Sequence, residues 1–348
     1  LSISSPAKIQ RRMRSRRSGL EAAFNDAWYH GAKWTFIFFP FVPLVMLTTY
    51  LRRRFRPRHG YASLGAPVII IGGLTAGGTG KTPTLIALVR YLSARGLRVG
   101  VVSRGYGRTS NDSSVLVSEQ HTHAKVGDEP LLIKRSVPEA AVMVGKSRRT
   151  VAKSLIRDHN SQVILSDDGL QHYDLPRDFE VAVIDAARGL GNGWLIPVGP
   201  LREPRERVSS VDFVLERNGK DESCALTYAP THLVSVKSEQ TLTVDEARAL
   251  FAGKSLVAAT GLGQPEQFFS LLRYMGVGFT EVAVADHALL PLVAIKKTHA
   301  PDHIVVTAKD AVKMDKQACD NVWVVEVEAQ LPQALLSALE QLLDRVSR

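Results

Sequence analysis

Gly77-Gly78-Thr79-Gly80-Lys81-Thr82 is the stretch of this 348-residue chain whose residue types and spacing most directly specify a chemistry. Glycines let the backbone wrap a phosphate chain with its N–H groups turned inward, and a following helix N-terminus adds partial positive charge. Lys81 would then reach the β- and γ-phosphates, and the Thr82 hydroxyl would hold Mg²⁺. The strict form of the motif places Gly at position 75. Thr75 stands there, so the match covers the core of the loop, with Thr75 and Ala76 at its entrance. The reading is a nucleoside triphosphate site, against a glycine turn with an incidental lysine.

A second constellation is Val163-Ile164-Leu165-Ser166-Asp167-Asp168, an apolar run closed by two carboxylates. One carboxylate at the end of such a strand binds Mg²⁺ beside the loop threonine, although Asp-Asp-Gly is also good turn chemistry. Gln171 and His172 follow within reach of the same edge. In Gly127-Asp128-Glu129-Pro130 the acids precede a helix. Asp128 could cap it, or accept a proton from a substrate hydroxyl, and the residues alone leave both open. Ser103-Arg104-Gly105-Tyr106-Gly107-Arg108 suits contact with an anion or nucleotide as well as it suits a basic turn. Asp286-His287 is a lone acid–histidine pair, and Thr307-Ala308-Lys309-Asp310 reads as the start of a helix.

The elements that must position these groups alternate. Strands are predicted at Pro67–Ile71, Leu97–Val102, Ala140–Val144, Val163–Ser166 and Val181–Ile184, with helices over 81–94, 128–136 and 147–159. This is an α/β pattern: a P-loop NTPase-like parallel sheet with helices on both faces. After the proline-rich Pro197–Pro204 the pattern changes. Residues 211–239 read as strands and turns leading to strands at Ser255–Ala259, Ile304–Thr307 and Val322–Val327, and helices near 244–251, 265–275 and 331–346. The chain thus divides into a basic arm and membrane anchor (1–60), an ATP-binding domain (61–210) and a second, smaller α/β domain (211–348) closing over the site.

Composition is that of a globular protein, 45% apolar and 22% charged. Two cysteines without metal-ligand spacing point to a reducing compartment and no structural zinc. The net charge of +10 sits wholly in residues 1–60, which hold twelve basic and two acidic residues. The rest is neutral, which removes the simplest argument for a nucleic-acid binder. Residues 34–51 carry no charge for eighteen residues, and Arg52, Arg53, Arg54, Arg56 and Arg58 follow. No cleavage site suits a secretory signal, and a core helix would rarely be apolar on every side. The segment is expected to span the membrane briefly or lie in its interface, broken at Pro40 and Pro43, with the arginines at the cytoplasmic surface. The basic stretch 8–17 would be a solvated arm against anionic lipid or nucleic acid.

Taken together, GGTGKTP (77–83), SRGYG (103–107), GDEP (127–130), DDGLQH (167–172), GPLREP (199–204), DH (286–287) and TAKD (307–310) resemble one family closely, tetraacyldisaccharide 4'-kinase. The resemblance runs from about Trp28 onward. It departs from the family's usual residues at Gly73, Leu170, Ala288 and Ala308, none of which is a proposed catalytic group. It implies transfer of a phosphoryl group from MgATP to the 4'-hydroxyl of the lipid A disaccharide 1-phosphate precursor at the cytoplasmic face of the bacterial inner membrane. It also implies site roles. Asp128 would be the base, assisted by His287, which could hold its orientation or raise its proton affinity. Thr82, Glu129, Asp167 and Asp168 would serve the metal, and Arg104 and Tyr106 the nucleotide. Gln171, His172, Arg202 and Glu203 would line the site. Anionic inner-membrane lipid is the expected neighbour, and no nucleic acid. The competing reading is a partition- or targeting-type switch ATPase at the membrane. Those proteins carry a lysine just before the paired glycines, where this chain has Ala76.

Overall fold

The computed structural model describes residues 19–20, 23–54, 64–110 and 112–347. The basic stretch 8–17, Arg56 and Arg58 lie outside them.

The first half contributes β1 (Val68–Gly72), β2 (Val99–Ser103), β3 (Ser114–Leu116), β4 (Ala141–Gly145), β5 (Val163–Ser166), β6 (Phe179–Asp185) and β7 (Phe213–Arg217). The second contributes β8 (Ala225–Ser235), β9 (Thr241–Thr243), β10 (Leu256–Thr260), β11 (Thr280–Ala283), β12 (His303–Thr307) and β13 (Val322–Gln330). They join in the order β11-β10-β12-β13-β8-β7-β6-β1-β5-β2-β4-β3, with β9 attached to β8. Pairing is parallel from β7 to β4 and from β11 to β13, and antiparallel where β3 meets β4 and where β8 meets β13 and β9. A mostly parallel α/β sheet therefore stands where alternation predicted one.

Successive strand residues point to opposite faces, so both faces of β1 must be covered. Ile69 and Ile71 meet Leu85, Leu88 and Leu92 of the helix Lys81–Ala94 and Leu131 and Ile133 of the helix Asp128–Ser136. Val68 and Ile70 meet Val151, Ala152 and Leu155 of the helix Arg148–His159. Each such buried aliphatic side chain contributes about 1.5–3 kcal/mol. In the second half, Phe268, Phe269 and Leu272 cover one face and Ile295 the other.

Two features tie the halves together. Strand β8 pairs with β7 over Glu216–Ala225 and Arg217–Leu226, then leaves it to run antiparallel to β13 from Thr227 onward. The helix Gln333–Ser347 then returns to the first half. There Leu335 and Leu339 are buried in the core that contains Ile69 and Leu85, and the Tyr91 hydroxyl donates to Glu340 at 2.8 Å.

The apolar N-terminal segment is a 3₁₀ helix, Trp34–Phe41, continued by an α-helix, Val42–Arg54. The change of helix type falls at Pro40 and Pro43. Pro43 sits in the first α-turn, where its missing N–H costs nothing. Trp34–Arg54 is long and apolar enough to cross a membrane, with mean hydropathy 1.7 and 11% of its most apolar window buried. One side rests on the body: the Thr35 hydroxyl donates to the Val198 carbonyl at 2.9 Å, Val42 enters the core, and Arg53 reaches the Ser210 hydroxyl. Ile37, Phe41, Leu44, Leu47 and Tyr50 on the other side are exposed.

Candidate active site

In a parallel sheet the loops after the carboxyl ends of the strands share one edge, and a cleft of about 1360 Å³ opens there. Gly77, Gly78 and Lys81 after β1, Arg104 and Tyr106 after β2, and Asp167, Asp168, Gln171 and His172 after β5 all line it. Glu129, Arg202 and, from the second half, His287 complete the sequence-predicted wall. Thr75, Ala76, Thr79, Gly80, Thr82, Asp128 and Glu203 adjoin these residues without lining the cleft themselves.

The phosphate loop is fixed at its entrance and exit. The Ala76 N–H donates to the Pro200 carbonyl at 2.8 Å, and Thr75 bridges to Leu201. Gly77 and Gly80 take φ of 104° and 90°, conformations that a side chain would strain. Gly80 then leads into the helix that begins with Lys81 and Thr82. Lys81 Nζ lies 3.7 Å from Asp168 Oδ1, and Arg202 Nη1 lies 2.8 Å from Asp168 Oδ2. Burial alone would raise the Asp168 carboxyl, but Lys81 and Arg202 hold it well below the ordinary range. Its backbone is left-handed, with φ of 45°. Such a conformation in a non-glycine residue persists only where its surroundings fix it.

Asp167 is the opposite case. Burial first, then the charges of Glu129 and Asp168, push its carboxyl up to about 7, and the Ser103 hydroxyl donates to it at 3.0 Å. Crowded carboxylates that resist ionisation are what a divalent cation relieves. Among the described residues no group of three or more His, Cys, Asp or Glu could hold a metal by itself. Mg²⁺ keeps water and takes one or two carboxylates plus phosphate oxygens, and Asp167 and Asp168 can supply the carboxylates. Thr79 Oγ1 and Asp168 Oδ1 are buried without a hydrogen-bond partner, polar atoms that bound phosphate or metal would engage. The residues fit the group.

Across the cleft a second cluster draws on both halves. Asp128 opens its helix behind Gly127, and its Oδ1 accepts the Glu129 N–H at 3.0 Å. Its Oδ2 lies 2.8 Å from His287 Nδ1, a partner 159 positions away. His287 takes φ of 59°, the second left-handed side-chain-bearing residue of the site. Lys309 Nζ stands 3.2 Å from His287 Nε2, 3.4 Å from Glu129 and 3.9 Å from Asp286. An ammonium only donates, so Nε2 accepts and the imidazole proton sits on Nδ1, aimed at Asp128. Burial would raise the Asp128 carboxyl, yet the His287 hydrogen bond and the Lys309 charge bring it down to about 2. The dyad therefore holds Asp128 in place without raising its proton affinity.

Glu203 is 1% exposed and works from behind. It accepts from Gln171 Nε2 at 3.0 Å and from the Tyr173 hydroxyl, and pairs with the fully buried Arg207. Gln171 in turn donates to the Gly73 carbonyl at the loop's entrance and receives Arg202 at 3.4 Å. His172 is driven down to about 4 by burial and by Arg148 and Arg104, so it is neutral at pH 7.

Sequence reasoning missed Lys309, Arg148, Arg149 and the site-facing position of Arg52, all of which line the cleft. Arg148 and Arg149 had a signal. Two cations in the first turn of a helix oppose its dipole, an unfavourable placement that function can explain.

A family model described as tetraacyldisaccharide-1-P 4'-kinase matches residues 34–344. A tetraacyldisaccharide 4'-kinase of Haemophilus influenzae is 39% identical over 317 residues, covering 88% of this chain and 92% of that protein. One of Stenotrophomonas maltophilia is 41% identical over 332 residues, covering 92% and 96%. The fold is similar to that of LpxK from Aquifex aeolicus, described as an "apo" form in complex with ATP. The TM-score is 0.70 at 24% identity, over 90% of this chain and 99% of that one.

Proposed function

The chain belongs to the tetraacyldisaccharide-1-phosphate 4'-kinase family, and from that premise we propose how its residues carry the reaction. It is a phosphotransferase of lipid A biosynthesis, moving the γ-phosphoryl group of ATP to the 4'-hydroxyl of the tetraacyldisaccharide 1-phosphate precursor. The observation that carries the residue-level reading is the 2.8 Å contact between Asp128 and His287 over the cleft that ends in the phosphate loop.

Asp128 receives the acceptor hydroxyl and takes its proton as transfer proceeds. A low proton affinity suffices, because phosphoryl transfer is largely dissociative and rests on positioning and charge stabilisation. His287, its proton held on Nδ1 by Lys309, fixes the carboxylate's orientation. Lys81, Arg202 and the loop amides stabilise charge on the transferred group, acting where it develops. Thr82, Asp167 and Asp168, with Glu129 at the rim, would hold Mg²⁺, which would supply neutralisation of the phosphate charge.

The acceptor is amphiphilic, and the N-terminal segment matches it. The body holds that segment along one side, from Thr35 to Arg53, and its opposite side is apolar and exposed. It therefore lies in the membrane interface as a surface anchor. Arg52 at its end lines the cleft with Arg104, Arg148 and Arg149, placing positive charge where the 1-phosphate of the acceptor and anionic lipid headgroups meet the protein. The anchored face is the cytoplasmic one, where ATP is available.

Incubating detergent-solubilised protein with γ-labelled ATP and the disaccharide 1-phosphate tests the reading. Label in the lipid is expected, and label only in free phosphate would favour a switch ATPase.

A further inference from the structure

Tyr228 has no place in the reaction just described, yet its hydroxyl donates to the Gly80 carbonyl at 2.7 Å and lies 3.4 Å from Thr84 Oγ1. The contact is close enough to dictate the sequence opposite: a Cβ on Gly80 would meet the Tyr228 hydroxyl at 2.1 Å. Gly80 is the last glycine of the phosphate loop, and the peptide it shares with Lys81 is trans and planar. Holding the carbonyl on one side turns the Lys81 N–H to the other. That N–H is among the first of its helix, with no intrahelical partner, and is one of the amides a phosphate would engage.

The place of Tyr228 in the sheet is as telling as its contact. Leu226 is the last residue of β8 paired with β7 of the first half, whereas Tyr228 already pairs with Ala329 of β13. The hydroxyl thus projects from the joint between the halves. Arg217, at the end of β7, sets its guanidinium 5.1 Å from the Tyr228 ring centroid, so the ring is gripped from the other side of the joint.

We propose that Tyr228 is a positioning residue that orients the Gly80–Lys81 peptide for phosphate binding and ties the phosphate loop to the strand joint. The proposal rests on the reading of that loop as the ATP site. Because the second half carries His287 and Lys309 on the same side of that joint, the tie links nucleotide affinity to the element that completes the base.

Tyr228→Phe keeps the ring and removes the donor. It is expected to weaken ATP binding about fivefold, the scale of one neutral hydrogen bond. The KM for the acceptor should stay at the wild-type value, and the thermal midpoint of the nucleotide-free protein should fall only by what one hydrogen bond contributes. Unchanged ATP affinity in Y228F overturns the proposal, as does a loss that vanishes when the two proteins are compared at temperatures equally far below their midpoints, which would mark stability alone. As a measurement that needs no destabilising variant, 3-fluorotyrosine at position 228 should give a ¹⁹F signal that moves on adding ATP; a signal that ATP leaves unmoved overturns the proposal. Failure of the wild-type protein to bind ATP would instead remove the underlying reading of the loop.

Discussion

The two walls of the cleft are built in opposite ways. The wall proposed to take the phosphates is local: Gly77 to Thr82 are contiguous and follow one buried strand. The wall proposed to accept the proton is assembled, with Asp128 from the first half and His287 and Lys309 from the second, held by contacts of 2.8 and 3.2 Å. Among the described residues, the local wall draws only one hydrogen bond from the second half, that of the Tyr228 hydroxyl to the Gly80 carbonyl. The assembled wall depends on the relation of the two halves, so substitutions there are expected to affect acceptor chemistry more than nucleotide binding.

Substitutions should separate the walls. Lys81→Ala, on the local wall, is expected to lower kcat by about 10³-fold, the scale of removing a preorganised donor from developing charge. Single-turnover transfer with saturating ATP checks this. Asp128→Ala and His287→Ala, on the assembled wall, should each lower kcat about 10²-fold or more while leaving ATP affinity intact. Equal losses in nucleotide binding, measured by calorimetry, would erase the distinction between the walls.

Lys309→Met should cost about tenfold in kcat, in keeping with one charge-assisted hydrogen bond, and should also shift the pH profile. The Asp128 hydrogen bond raises the His287 pKa, against burial and the Lys309 charge. As pH falls through that raised value, His287 protonates and the pair becomes an ion pair in which Asp128 accepts a proton less readily. Activity is therefore expected to fall on the acid side at a pH above the ordinary histidine value of about 6.5, and at a higher pH still without Lys309. The stability sign runs the other way. A raised folded-state pKa adds stability at low pH that is lost as pH rises through it. Acid loss of activity should accordingly appear without unfolding, which circular dichroism across the same pH range checks.

The smallest effect on turnover is expected from Leu44→Ser with Leu47→Ser, far from either wall. Vesicle flotation should fall sharply, since each leucine is worth about 1.5–3 kcal/mol when buried. The kcat for detergent-dispersed acceptor should change least of the series.

The same contrast decides what was legible in the sequence. Contiguous features were readable because the signal and the structure share a scale. Strand β5 and the helices Lys81–Ala94 and Asp128–Ser136 lie where their apolar periods placed them. Strands β3 and β11 were missed because they are short and largely exposed, with no apolar run to announce them. Lys309 read as part of a helix start, and it does sit in one. That its ammonium meets His287 depends on how the loops after β10 and β12 share an edge, which no local pattern encodes. Glu203 was expected at the wall and does not line it, because its carboxylate pairs inward with the buried Arg207 while Arg202 turns to Asp168. Motif resemblance, not spacing, joined residues 128 and 287.

The returning helix Gln333–Ser347 has a consequence for how the molecule is made. Leu335 and Leu339 belong to a core whose other members begin at Ile69. A ribosome delivers the phosphate loop early, with a core that lacks two of its leucines until most of the residues after it have emerged. The core behind the phosphate loop can therefore be completed only near the end of synthesis.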